Sequence, residues 1–143
     1  MKWLYLPFIL QGICMLVDEF YFHHKRGLPR WERLGHPLDT LTVFAALGYL
    51  LLPSVNLNVY LGLSIFSCVF ITKDEFVHKE QCPALEQWLH SLLFVLHPIL
   101  FLSAYLLWQE NDFSFLQIQT GIIFGFLFYQ ILRWSIPWRA ISK

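Results

Sequence analysis

Five stretches of this chain each run for about the thickness of a membrane with almost no charge. Residues 3–17 carry none, and apolar character continues to Phe22 past Asp18 and Glu19. Residues 38–52 are apolar apart from Asp39 and two threonines, and residues 55–72, 88–108 and 113–132 hold no Asp, Glu, Lys or Arg over 18, 21 and 20 positions. A helix needs about 20 residues to cross a hydrocarbon core of about 30 Å, with about 17 as the short limit. Charged residues make up 14% of the chain, against roughly 25% in an average soluble domain. That leaves too little polar surface to cover five apolar helices in water. The expected fold is all-α and integral to a membrane: five transmembrane helices in one transmembrane domain, residues 1–143. No small-residue cleavage site follows the first run, so it is expected to stay as a helix and not be removed as a signal peptide.

The basic residues predict an orientation. Lys25, Arg26, Arg30 and Arg33 lie between the first two runs, Lys73 and Lys79 between the third and fourth, and Arg133, Arg139 and Lys143 after the fifth. Only Lys2 lies on the other side, a nine-to-one division that places the N-terminus outside and the C-terminus in the cytoplasm. The expected location is the bacterial inner membrane. Ten Lys/Arg balance ten Asp/Glu, so the basic excess of a nucleic-acid binder is missing and no nucleic-acid partner is expected. Cys14, Cys68 and Cys82 lack metal-type or disulfide-type spacing. The few polar groups of the outer half, Gln11, Asn58, Gln117 and Gln119, read as satisfied core or lumen residues.

Two polar stretches resemble each other. At a constant offset of 54, His24, Lys25, Pro29, Glu32 and His36 match His78, Lys79, Pro83, Glu86 and His90. Each stretch comprises the end of one helix, a loop and the start of the next. The expected architecture is a four-helix bundle of two tandem helical hairpins (internal repeat 1–56 and 57–110), plus a fifth helix over residues 113–134.

All six histidines and eight of the ten acids fall on the cytoplasmic side. Residues four apart share a helix face, which pairs Glu19 with His23, Glu32 with His36, Asp74 with His78 and Glu86 with His90. Glu75 stands three before His78, Asp39 three after His36, and His97 two turns beyond His90. Ionisable groups at membrane depth are costly and need a partner, a water-filled cavity or a metal. Carboxylate and neutral imidazole without cysteine suit iron, manganese or zinc. The candidate metal ligands are Glu19, His23, Glu32, His36, Glu75, His78, Glu86, His90 and His97, with Asp18, His24, Asp39 and Asp74 as further candidates. Of the adjacent His23 and His24, one is expected to ligate and the other to meet headgroups. The expected cofactor is a pair of metal ions, iron first, with zinc or manganese as the other choices.

This pattern resembles the non-haem di-iron carboxylate proteins of the ferritin-like type, whose helices bring Glu and Glu-x-x-His ligands into a bundle core. Glu75-Phe-Val-His78 has that spacing, while Glu32 to His36 and Glu86 to His90 are Glu-x-x-x-His. Its cytoplasmic placement is similar to that of membrane desaturases and hydroxylases, although the several-histidine boxes of those families are missing. The resemblance implies an oxidase, hydroxylase or desaturase acting on a lipid-soluble substrate, with membrane lipid around it and a separate electron donor. Three other functions are carried beside it. A b-type haem electron-transfer subunit would use His36, His90 and His97. A zinc-dependent lipid hydrolase would use the same ligands to activate water. A metal-ion transporter would need polar groups along its whole path.

Overall fold

The computed structural model describes residues 2–76, 79 and 82–135, apart from the side chains of Arg26, Asp74 and Ser135. Every regular element among them is helical. Helix α1, Leu6–Val17, is entered from a 3₁₀ turn at Lys2–Tyr5 and has a proline in its first turn, where the missing N–H costs nothing. It continues as a π-helix, Asp18–His23, and a last turn, His24–Arg26. Gly27 then ends it at φ +78°, a backbone conformation that glycine adopts without strain. The remaining helices are α2, Arg30–Tyr49; α3, Leu57–Phe70; α4, Ala84–Gln109; and α5, Phe113–Gln130.

Short polar side chains start two of these helices by accepting a free backbone N–H. The side chain of Asn56 accepts from Asn58 at 2.9 Å, and that of Asp112 from Phe115 at 3.3 Å. Asp112 also accepts the Tyr5 hydroxyl at 2.5 Å, tying the start of the chain to the α4–α5 turn.

Three helical stretches are long and apolar enough to cross a membrane: Lys2–His23, Ala84–Gln109 and Phe113–Trp134. This suggests a membrane protein. The other two runs form helices without meeting the same standard. Leu57–Lys73 is apolar but shorter, and α2 opens with Arg30, Glu32 and Arg33 before Asp39. Much of the outer surface is hydrocarbon, with Val69, Val95, Leu102 and Ile118 each about 60% exposed. An apolar exterior on this scale marks a contact surface for lipid or another protein.

The buried apolar core gathers at one end of the molecule. It joins Leu4 and Phe8 of the first stretch, Val43 to Leu50, Tyr60, Leu100 to Leu107, and Leu116. The other end buries Asp18, Glu19, His23, Glu32, Glu86, His90 and Gln130 instead. Around the molecule α1 packs on α4, α4 on α3, α3 on α2 and α2 on α5. Aromatic pairs near both ends, Phe8 with Phe115 and Phe20 with Tyr129, bring α5 back to α1. The C-terminal helix thus packs against α1 and α2 and completes the ring of helices. Its contact with α2 is among the most extensive in the fold.

Candidate metal centre

Local sequence sets two matching helix starts. Pro29 and Pro83 occupy the position before α2 and α4 in the same extended conformation (ψ 162° and 155°). Their carbonyls accept the first helical N–H bonds, from Arg33 and Gln87, both at 3.1 Å. Proline suits this place because no helical N–H is required of it. Three residues on, Glu32 and Glu86 sit in the first turn, where a carboxylate complements the helix dipole. Both are fully buried.

The π-helix of the first segment supplies the facing groups. A π-turn closes from residue i to i+5 and is frequent at functional sites, so Asp18 and His23 come onto one face. His23 Nε2 lies 3.1 Å from Asp18 Oδ2 and 3.9 Å from Glu86 Oε1. The other oxygen of Asp18, Oδ1, lies 3.2 Å from His90 Nε2. Asp18 thus touches both histidines, one from its own segment and one from α4.

Asp18, His23, Glu86 and His90 form a buried group that could hold a metal ion, with one donor atom from each residue within 4.8 Å of all the others. Two donors on opposite sides of one ion, each ~2.2 Å away, stand about 4.4 Å apart. Neighbouring donors around a tetrahedral ion stand closer, at about 3.5 Å, so the four would draw together to share a single cation. Neither nitrogen of His23 has a hydrogen bond of good geometry among the described residues, although the ring is 1% exposed. With carboxylate oxygens 3.1 Å from Nε2 and 3.6 Å from Nδ1, the ring sits among acceptors, a setting suited to a shared cation.

The remaining candidates lie at graded distance from this group. Glu19 approaches His23 Nδ1 at 3.6 Å, but the end of α5 and the π-helix that continues it, Ile131–Ser135, also hold it: the Trp134 indole N–H donates to Oε1, and the Gln130 amide donates to Oε2 at 3.4 Å. The Thr40 hydroxyl fixes Gln130 in turn, at 2.7 Å. His36 places its ring 4.5 Å from that of His23, centroid to centroid, and is half-buried. Glu32, Glu75 and Asp39 stand outside the four, and Asp39 takes an ion pair from Lys73 at 2.6 Å. His24 is exposed, with its ring edge-on to Trp134, so His23 is the buried member of that pair. His78 lies outside the described residues, as does the side chain of Asp74.

His97 belongs to a different network. It is 4% exposed, and both ring nitrogens are engaged, Nδ1 with Gln11 Nε2 at 3.1 Å and Nε2 with Ser67 Oγ at 2.9 Å. Ser67 is 2.7 Å from Thr42, whose hydroxyl donates to the Asp39 carbonyl at 2.7 Å. Because a carbonyl can only accept, the direction of the whole chain follows. Thr42 donates to Asp39, Ser67 to Thr42, His97 Nε2–H to Ser67, and Gln11 to His97 Nδ1.

A cavity of about 100 Å³ adjoins the site. Asp18, His23, His36 and His90 line it at one end, and Gln11, Val43 and Phe126 line the rest. Sequence reasoning missed Gln130, Trp134, Thr40 and Ser67. The available signal was a lone polar residue in an apolar run: Gln130 is buried within a stretch that carries no charge, and such a group needs a partner.

No protein-family model matches this chain, and no curated protein or solved structure matches it significantly.

Proposed function

We propose that this protein is a membrane-embedded, metal-dependent oxidoreductase that acts on a lipid-soluble substrate at the cytoplasmic bilayer surface, as a di-iron oxidase, hydroxylase or desaturase. The observation that carries this reading is the buried group of Asp18, His23, Glu86 and His90 beside a cavity whose far walls are apolar. Two imidazoles and two carboxylates are a hard-to-borderline donor set suited to iron, manganese or zinc. In this reading the four hold one ion, and Glu19, Glu32 and His36 supply donors for a second. The bound metals would supply one-electron redox chemistry and oxygen activation.

The chain's own residues do the rest. Gln130 and Trp134 orient Glu19, the outer-shell support that ligating groups need. All five helices cross the bilayer, with the exposed apolar side chains of α2 and α3, such as Leu34, Leu41, Leu61 and Val69, facing lipid. The nine-to-one division of basic residues puts the site at the inner face. Electrons come from a separate donor.

The deciding experiment is metal analysis with visible spectroscopy on protein purified in detergent. Two irons per chain without a Soret band are expected. A Soret band sinks the reading in favour of haem, and one zinc per chain turns it into a hydrolase. Retention of the full metal content in Glu86→Ala would remove the site altogether.

A further inference from the structure

Two cavities meet at Gln11. The first adjoins the metal group. The second, about 130 Å³, continues away from that group, and Gln11, Met15, Thr40, Val43 and Phe126 line both. Its other walls include Phe8, Leu100 and Ile123, with Gln119 as the one polar side chain added to Gln11 and Thr40 in a lining otherwise apolar. An apolar cavity of about 150 Å³ stays dry and takes up benzene, so this space suits hydrocarbon better than water.

The second cavity also reaches the outer surface. Leu16 on α1 and Ile122 on α5 line it, yet they are 49% and 58% exposed. Between the aromatic pairs at either end, α1 therefore leaves a gap toward α5. Gly12 lines the cavity at this gap, and a Cβ built on it meets nothing within 4 Å.

The directed hydrogen-bond chain specifies what a ligand must offer. With its amide N–H committed to His97, Gln11 presents its carbonyl Oε1, which has no hydrogen-bond partner among the described residues. The residue is only 3% exposed. A buried acceptor left unmet is costly, and it lies where the polar and apolar cavities join.

We infer that the joined cavities bind a single hydrocarbon chain that enters from the lipid between α1 and α5 and carries a hydroxyl group, which donates to Gln11 Oε1. A long-chain alcohol fits: its hydroxyl meets Gln11, its carbinol end faces Asp18 and His90, about six carbons of its tail fill the second cavity, and the rest leaves between α1 and α5 into the lipid. An ether, ester, aldehyde or quinone of equal length offers acceptors only, which can meet the second amide N–H of Gln11 but leave Oε1 unmet. The inference deepens the proposed function and rests on it for the fate of the bound chain. Binding itself needs no metal.

Photolabelling tests it. The full chain, reconstituted in phosphatidylcholine vesicles, is irradiated with a dodecanol that carries a diazirine at about its sixth carbon, and the label is mapped by mass spectrometry. Label is expected at the deep end of the second cavity, on Phe8, Leu100 or Ile123. Unlabelled dodecanol should compete about tenfold better than dodecyl methyl ether, the ratio one buried hydrogen bond supports. Gln11→Leu should keep the labelling and bring that ratio to about one. Gly12→Leu, whose Cβ meets nothing within 4 Å and whose branched end enters the cavity that Gly12 lines, should abolish it. Label spread over the outward faces, undiminished labelling in Gly12→Leu, or equal competition by alcohol and ether in the natural protein overturns the inference. Should Gln11→Leu fail to fold, the natural protein and Gly12→Leu decide the matter. The labelling pattern should survive chelation. If the protein holds no metal yet labels as expected, the chain-binding inference stands and the oxidoreductase reading falls.

Discussion

The starts of α2 and α4 are close to copies of each other, yet they contribute differently to the site. Both follow an extended proline whose carbonyl accepts the first helical N–H, and both bury a glutamate completely in the first turn. Four residues after that glutamate, each offers a histidine. On α4 both side chains join the metal group, His90 through Asp18 and Glu86 beside His23. On α2 the histidine is half-buried and stacks against the ring of His23, while Glu32 stays outside the four. The difference comes from the partner. The π-helix at Asp18–His23 packs on α4 and turns its two ligating groups that way. A matching local pattern thus secures burial of a carboxylate, and what faces it decides whether it joins the group that could hold a metal.

Removing the carboxylates separates the two starts most sharply. Glu86→Ala should cost more metal affinity than the ~10–100-fold typical of outer-shell partners, because it removes one of four donors. Glu32→Ala should cost about that 10–100-fold itself, with equilibrium dialysis of both variants as the measure. Equal and complete loss in both would mean that the two starts each serve an ion. No loss in Glu32→Ala would reduce the first start to a structural role. The next effect in size concerns the C-terminal helix. Trp134→Phe removes a donor to Glu19 but no ligand, so it should weaken metal binding by about tenfold and leave the helix content unchanged.

The helical class and the sorting of polar residues to one end were legible from spacing alone. Period and composition report burial directly, and Glu32, Glu86, His90 and His23 are buried as their faces require. Two physical features hid the rest. The i, i+4 rule pairs Glu19 with His23, but the π-helix changes the local period and brings Asp18 into that place. Lone polar residues such as Gln130 and Gln11 give no periodic signal, so their role appears only when a facing helix supplies Glu19 or His97. His97 shares a face with His90, but sharing a face says nothing about depth, and Ser67 from α3 meets it instead.

That separation of His97 from His90 can itself be broken or sharpened. Ser67→Ala leaves the His97 N–H without its acceptor in a buried setting, at a cost of about 1–3 kcal/mol in stability. Metal content should not change, because neither residue touches the four-residue group. Thermal unfolding in detergent, read beside metal analysis, separates the two effects. Loss of metal in Ser67→Ala would instead join the His97 network to the site.

The smallest effect is expected at the aligned lysines. Lys25 and Lys79 occupy matching places in the two polar stretches and are both exposed. Lys25 lies over the Tyr21 ring, 5.6 Å from its centroid, on a surface where a substitution usually changes stability by no more than ±0.5 kcal/mol. Lys25→Ala and Lys79→Ala should therefore leave metal content and unfolding temperature where they are. This outcome bears on the two helix starts because each lysine stands seven residues before one of the buried glutamates. If the starts differ only through what faces them, removing a solvated cation from either should have equal and negligible consequences. A drop in metal content in Lys79→Ala alone would show that the second stretch differs from the first before its glutamate is reached. The asymmetry would then belong to the loops as well as to the π-helix.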